Sequence, residues 1–173
     1  MILSAKLREI VSTIIEYVSN FIMNDLLITL ATEPEKTWAA ELMAQSEPWT
    51  TLGITLEKSL IACRDVSNHV YIAHDHDMLC GLIILQDKGV AGSPYIKSIA
   101  VAQVYQNQGI GKQLLKFAED QYRGNSKHLF LCVSSFNKMA QHLYQEYGFR
   151  VVGEFNDYIV DGLSEILMHK RLR

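Results

Sequence analysis

The chain has 173 residues, of which 49% are hydrophobic and 20% are charged. This length and composition are typical of one soluble globular domain, which can bury a core without disulfide bonds or metal ions. A net charge of −3 provides no basic surface, so nucleic acid is not an expected partner. Three scattered cysteines, Cys63, Cys80 and Cys132, lack Cys-x-x-Cys spacing and indicate reduced thiols in a cytoplasmic protein.

Residues 1–22 carry apolar side chains at helical spacing, which predicts an amphipathic helix that packs on the domain or on a partner. Because the partner can be a second copy of the chain, a homodimer is an open alternative. We expect no membrane partner, because the uncharged run is far shorter than the roughly 20 residues of a membrane span and the polar face lacks basic enrichment. No signal-peptide cleavage pattern is present. A translation start at Met23 is a further alternative, so we assign 1–22 to an extension and 23–173 to the main domain.

The remaining elements alternate between β-rich and helical patterns. Strands are predicted at 26–32, 68–73, 78–85, 96–101, 129–133, 150–155 and 165–172. Helices are predicted around 38–43, after a Thr55 cap, and over 110–122 and 139–147. The order indicates one mixed α/β domain. The predicted hairpin turn at 74–77, His-Asp-His-Asp, contains side chains that can bind a metal ion. We disfavour a metal site because such turns are normally solvated and no distant residue completes the set of ligands.

A glycine-containing segment lies between a predicted strand and a predicted helix, and it reads Gln106-Asn107-Gln108-Gly109-Ile110-Gly111-Lys112. Free N–H groups at a helix start attract anions, and glycine lets a diphosphate approach the backbone closely. A Rossmann fingerprint requires glycine where Leu114 stands, and a P-loop requires Ser or Thr where Gln113 stands, so neither nucleotide motif is complete. Taken alone, the two glycines are equally compatible with a tight turn.

With its flanks, this segment resembles the acetyl-CoA motif of the GNAT superfamily of N-acyltransferases. In that motif, a strand ends in an apolar pair before Gln/Arg-x-x-Gly-x-Gly/Ala opens a helix, and here the strand ends in Ile99-Ala100-Val101. Residues 137–149 resemble the family's second cofactor motif, Asn-x-x-Ala-x-x-x-Tyr-x-x-x-Gly-Phe. The resemblance implies the GNAT fold, an α/β fold with a central mixed, largely antiparallel sheet, flanked by helices, whose fourth and fifth strands splay apart.

The resemblance also implies an enzyme that moves the acetyl group of acetyl-CoA to a primary amine of a small molecule, peptide or protein, by direct attack and without a metal. Backbone N–H groups of 108–112 would hold the pyrophosphate, and Ile99 and Val101 would pair with the pantetheine arm. The Val101 N–H would polarise the acetyl carbonyl and Tyr144 would protonate the departing thiolate. The implied cofactor-contacting residues are Ile99, Ala100, Val101, Gln106, Asn107, Gln108, Gly109, Ile110, Gly111, Lys112, Asn137, Ala140 and Tyr144.

Structural roles stay open for two of these residues, since Asn137 can cap a helix and Tyr144 can simply pack in the core. No base for the amine is found. Where some family members carry a glutamate on the fourth strand this chain has Ser98, and where ribosomal-protein acetyltransferases carry one it has Cys132. Both departures slightly favour the alternative of a non-catalytic CoA-binding regulatory module, whereas the retained Tyr144 favours an enzyme. Weaker acceptor-site candidates are Glu47, Trp49 and Ser98, with Glu154 and Asp157 near the sixth strand.

Overall fold

A seven-stranded sheet forms the centre of the computed structural model, which describes residues 26–173. The predicted N-terminal helix and the alternative start at Met23 lie outside these residues. The strands are β1 (Leu27–Leu30), β2 (His69–Asp75), β3 (Met78–Gln86), β4 (Tyr95–Val101), β5 (His128–Ser134), β6 (Arg150–Phe155) and β7 (Glu165–Arg171). The helices are α1 (Glu33–Ala44), α2 (Leu56–Arg64), α3 (Ile110–Tyr122) and α4 (Lys138–Glu146). None of the four has the length and apolarity needed to cross a bilayer.

The strand order is β1-β2-β3-β4-β5-β7-β6, and within it only β4 and β5 run parallel. The predicted mixed, largely antiparallel sheet is confirmed. The first helix starts earlier than expected, because Pro34 fits its first turn, where a missing N–H costs no hydrogen bond. Thr32 therefore leaves the strand to cap the helix, and the Glu35 carboxylate accepts from its backbone N–H at 2.7 Å and its hydroxyl at 2.6 Å.

Alternating residues along the strands divide the core into two faces. On the first face, the odd-numbered positions of β5 (129, 131 and 133) pack under α3 and α4. On the second face, α1 and α2 cover residues of β2, β3 and β4, such as Ile72, Ile84 and Ala100. This second core does not extend beyond β4. The second face of β5, β7 and β6 is therefore left uncovered by the helices of the described chain.

The neighbouring strands β4 and β5 separate soon after they begin to pair. Tyr95 and Ile96 pair with β5, and no later residue of β4 does. On the other side, Ile84 pairs with Ser98 while Leu85 pairs with Ile96, which leaves Lys97 as an unpaired bulge residue. A bulge bends its strand and increases the local twist, which accounts for the separation. The predicted splaying of the fourth and fifth strands is thus confirmed, and we call the opening the gap.

One half-buried ion pair joins the elements on the first face. Lys170 of β7 lies 2.7 Å from the Glu119 carboxylate of α3, and their side chains are only 17% and 15% exposed. The same ammonium group lies 3.9 Å from the centroid of the Tyr147 ring, just beyond α4. The contact fixes α3 and α4 against the sheet, because one cation is shared by a carboxylate and an aromatic ring.

We expect Lys170→Met to lower the free energy of unfolding by about 2 kcal/mol, because it removes the nearer and more buried of the two cations that pair with the half-buried Glu119 carboxylate. Chemical denaturation measures this loss. The matched control is Arg123→Met, which removes a second cation from Glu119 but one that is 55% exposed, so its cost should stay below about 1 kcal/mol. Equal losses for the two variants would contradict the structural role of Lys170.

Candidate functional site

The gap exposes a strand edge in the middle of the sheet. The Ala102 N–H donates to the Cys80 carbonyl at 2.9 Å, so Ala100 and Ser98 also direct their backbone groups toward β3. The backbone groups of Ile99 and Val101 consequently face the gap. The Val101 carbonyl accepts from the side-chain amide of Gln106 at 3.1 Å. The strand edge that the sequence assigns to a pantetheine arm therefore has no strand partner among residues 26–173.

A cavity of about 700 Å³ passes through this gap, since residues from both faces of the sheet line it. The first face contributes residues of α4, and the second face contributes residues of β5 and β7. The lining includes Glu47, Trp49, Ser98, Ile99, Cys132, Ser134, Asn137, Ala140, Tyr144, Phe155, Tyr158 and Glu165. The cavity thus brings together the candidates from both sequence motifs and from the acceptor loop. Ala100, Val101 and the segment 106–112 are not part of its lining.

The segment 106–112 lies at the N-terminus of α3. Gly109 precedes the helix with φ +82°, a conformation that favours glycine, and a Cβ there would meet nothing within 4 Å. The first N–H groups of α3 therefore border open space, where an anion can reach them. Gly111 differs, because a Cβ there would lie 3.1 Å from Cδ2 of Leu143 in α4. Close helix packing is thus a second reason for glycine at position 111, beside the ligand approach that the sequence predicts.

Tyr144 and Asn137 approach the cavity from α4. The Tyr144 side chain is 9% exposed, packs edge-on against Phe149 and has no hydrogen-bond partner for its hydroxyl within residues 26–173. Burial raises the pKa of Tyr144 to about 12, so the phenol keeps its proton at neutral pH. The Asn137 side chain accepts from the Ala140 N–H at 3.1 Å and caps α4. The structure therefore places both residues where packing or capping and contact with a ligand are compatible.

Glu165, the first residue of β7, is a buried carboxylate that the sequence analysis did not select. Its side chain lines the cavity, is 7% exposed and accepts from the Ser134 hydroxyl at 2.5 Å. Burial raises the pKa of Glu165, although the Ser134 hydrogen bond lowers it in part. No lysine, arginine or histidine of the described chain forms an ion pair with it. The only sequence signal was an acidic residue directly before the apolar run 166–168 of the last strand.

The other acidic candidates are less suited to act as a base. The Glu47 carboxylate accepts from Thr50 at 2.6 Å and from Thr51 at 3.0 Å, and these hydrogen bonds hold its pKa below the usual range. Asp157 accepts from the Gly162 N–H at 2.6 Å within its own loop and does not line the cavity. Glu154 also lies outside the lining. Burial raises the pKa of Cys132, so its thiol stays neutral.

The hairpin turn at 74–77 does not assemble a set of metal ligands. His74 contacts Glu35 at 3.4 Å and Thr29 at 3.1 Å, while His76 contacts the adjacent Asp75. No group of three or more metal-ligating side chains occurs between residues 26 and 173. The histidines of the turn are thus engaged in local hydrogen bonds.

Three lysines and a buried hydroxyl complete the wall on the second face. Lys58, Lys88 and Lys97 line the cavity, and none of them forms an ion pair with a residue of the described part. Ser59 also lines it, and its hydroxyl oxygen is buried without a hydrogen-bond partner among the same residues. The wall therefore carries positive charge at exposed side chains and one unsatisfied polar group in its interior.

Comparison with known proteins adds independent findings. Residues 54–172 match the sequence model of a family described as an acetyltransferase (GNAT) domain. A curated protein, probable N-acetyltransferase 14 of Xenopus tropicalis, is 30% identical over 84 residues. That match covers 48% of this chain and 41% of the relative, so the aligned part is less than half of the curated protein.

Solved structures share the fold over most of the chain. A GNAT family acetyltransferase from Elizabethkingia anophelis, with acetyl-CoA bound, is 25% identical with a TM-score of 0.68 and covers 86% of this chain and 99% of its own. The spermidine N-acetyltransferase of Vibrio cholerae, in complex with CoA and spermine, is 18% identical with a TM-score of 0.67 and covers 86% and 96%. At 18% identity, the second likeness concerns the fold alone.

The family match spans well over half of the chain, and the solved relatives show the same architecture. The mixed sheet with its splayed fourth and fifth strands is the fold that the sequence predicted. The chain belongs to the GNAT acetyltransferase family.

Proposed function

We propose that the protein is an N-acetyltransferase that transfers the acetyl group of acetyl-CoA to a primary amine by direct attack in a ternary complex. The observation that carries the proposal is the cavity through the gap, since residues of α4 line it on the first face of the sheet and residues of β5 and β7 line it on the second. Family membership supports acetyl-CoA as donor, since the related Elizabethkingia anophelis protein holds it. A non-catalytic CoA-binding module is the alternative, and it leaves the buried Tyr144 and Glu165 without a role.

The cofactor would lie along the exposed edge of β4. The N–H groups of 108–112 would bind the pyrophosphate, because free donors and the helix dipole both favour an anion there. The pantetheine arm would then pair with the backbone of Ile99 and Val101 as an added strand. This direction brings the thioester into the gap beside the Val101 N–H, which would stabilise negative charge on the carbonyl oxygen.

Proton delivery to the leaving group is assigned to Tyr144. Its side chain lines the cavity that passes through the gap, and its hydroxyl keeps its proton at neutral pH. When the carbon–sulfur bond breaks, the thiolate would take this proton, which lowers the cost of its departure. Asn137, at the start of the same helix, would contact the pantetheine arm next to it.

The acceptor would occupy the second face. Aromatic walls from Trp49, Phe155 and Tyr158 favour an amine carried on an apolar body, since these rings bury large apolar areas. The unpaired lysines at 58, 88 and 97 disfavour acceptors with several positive charges, because like charges near a shared cavity repel. We therefore propose an apolar monoamine as the preferred acceptor class.

The cofactor side is tested by Lys112→Glu. Lys112 lies in the first turn of α3 and forms only an exposed ion pair with Glu146, so the fold should tolerate the change. A carboxylate beside the pyrophosphate should weaken acetyl-CoA binding by about 10-fold to 100-fold in calorimetry. Lys116→Glu, one turn further along the helix, is the matched charge change and should leave the affinity near that of the natural chain. Unaltered affinity in Lys112→Glu would place the pyrophosphate elsewhere.

The acid role is tested by Tyr144→Phe, which keeps the ring and its packing and removes only the hydroxyl. We expect kcat to fall by about 10²-fold while acetyl-CoA affinity changes little, because the hydroxyl acts on charge that develops in the transition state. Tyr147→Phe, which removes a hydroxyl outside the cavity, serves as the control. A purely structural Tyr144 predicts the opposite, near-normal turnover, and that result would exclude the acid role.

The acceptor class is tested by thiol release from acetyl-CoA with phenylethylamine and with spermidine. We expect kcat/KM to be about tenfold or more higher for phenylethylamine, the difference that about 1.4 kcal/mol or more of repulsion produces. Replacing Lys58, Lys88 and Lys97 together with methionine should narrow this ratio, and Lys127→Met should not. Tight acetyl-CoA binding without turnover of any amine would instead support the non-catalytic module.

A further inference from the structure

Glu165 is buried at an energetic cost that its protein contacts do not offset. Moving a carboxylate out of water costs several kcal/mol unless a cation or several hydrogen bonds compensate. Here the Ser134 hydroxyl donates one hydrogen bond to Oε1, and no side chain of residues 26–173 donates to Oε2. No cation of that part of the chain pairs with the group. A buried, half-satisfied carboxylate in a ligand-sized cavity indicates a cationic partner that arrives with the ligand.

The fold places Glu165 on the side of the gap opposite Tyr144. Glu165 of β7 pairs with Ser134 of β5, and the two side chains lie on the part of the second face that no helix of the described chain covers. Tyr144 belongs to the core of the first face. Both side chains nevertheless line one cavity, because that cavity passes through the sheet. A thioester in the gap would therefore have a carboxylate on one side and a phenol on the other.

Resting on the proposed function, we propose that Glu165 binds the ammonium group of the acceptor and acts as the catalytic base that removes one of its protons. The carboxylate supplies the counter-ion that a primary ammonium requires in an otherwise aromatic cleft. Phe155 of β6 pairs with Glu165 and lines the same cavity, so an aromatic ring lies beside the carboxylate. This assignment provides the base that Ser98 and Cys132 do not provide.

The protons balance as follows. The acceptor enters with three protons on nitrogen, and Glu165 takes the first, which frees the lone pair. The nitrogen attacks the acetyl carbon, the carbon–nitrogen bond forms, and the carbonyl electrons move to oxygen. On collapse the carbon–sulfur bond breaks and Tyr144 gives its proton to sulfur. The second nitrogen proton restores the Tyr144 phenol, so the amide nitrogen retains one of its three protons. The proton on Glu165 passes to solvent as the products leave.

The environment of Glu165 suits this role. Burial raises the pKa of its carboxyl, which strengthens it as a base, and activity should fall as the pH drops through that raised pKa. The ionisable groups that face it are the Cys132 thiol on β5 and the Tyr95 phenol on β4, and both stay neutral because burial raises their pKa values. The Ser134 hydroxyl is the only neighbour on the described chain that lowers the pKa of Glu165.

The test is a pH profile of kcat/KM for phenylethylamine in the natural protein, in Glu165→Gln and in Glu154→Gln, from pH 6 to 9.5. Glu154→Gln is the matched control, since it neutralises an exposed carboxylate of β6 outside the cavity. We expect Glu165→Gln to lose about 10²-fold at pH 7 and to recover steadily toward pH 9.5, where solution supplies the free amine. A constant loss at every pH would indicate a merely structural carboxylate and overturn the proposal, as would unchanged kcat/KM at pH 7.

Two further measurements separate the possible failures. If the natural protein turns over no amine, the proposed function fails; if it does and Glu165→Gln matches it, only the assignment of the base fails. Acetyl-CoA affinity in calorimetry checks that Glu165→Gln is folded. Should that variant not fold, Ser134→Ala is used in its place. Loss of the hydrogen bond raises the pKa of Glu165 further, so the fall in kcat/KM at acidic pH (the acidic limb) should move to higher pH. An unmoved limb would overturn the proposal.

Discussion

The backbone edge of β4 that faces the gap is the constraint on which the rest of the site depends. Strand edges inside a sheet normally satisfy their N–H and C=O groups with a neighbour, and an exposed edge is a template for another extended chain. Here the bulge at Lys97 turns β4 away from β5 after two paired residues. The edge is thereby opened without breaking the pairing of β4 with β3. A flexible, extended ligand arm is the natural complement of such an edge.

The gap also separates the charged groups of the proposed site. The helix end proposed to bind the phosphates lies on the α3 side, and a buried carboxylate lies on the opposite face. The donor, with its phosphates, and the acceptor, with its ammonium group, would therefore enter from different sides and meet in the gap. This separation prevents the acidic group from repelling the phosphates, because the sheet itself stands between them.

Much of the fold was accessible from the sequence because its signals are local. The two cofactor motifs lie on continuous stretches, and alternation and turn residues located all seven strands. The early start of α1 was missed because its apolar positions begin only at Trp38, although a proline fits the first helical turn. The packing role of Gly111 could not be predicted, because its contact with Leu143 joins positions 32 residues apart. Glu165 was overlooked because its proposed role depends on its pairing with Ser134 and on the cavity that it shares with Tyr144. Both arise only in the folded sheet.

The coverage of the second face by α1 and α2, which ends at β4, has an evolutionary consequence. The proposed donor half is built from backbone groups of a helix end and a strand edge, which the central sheet holds in place and which most side-chain substitutions leave unchanged. The proposed acceptor half is walled in part by connecting segments, with Glu47 and Trp49 before α2 and Tyr158 between β6 and β7. Such segments tolerate substitution and insertion. New acceptor preferences can therefore arise by drift in the connections while the donor chemistry is inherited unchanged.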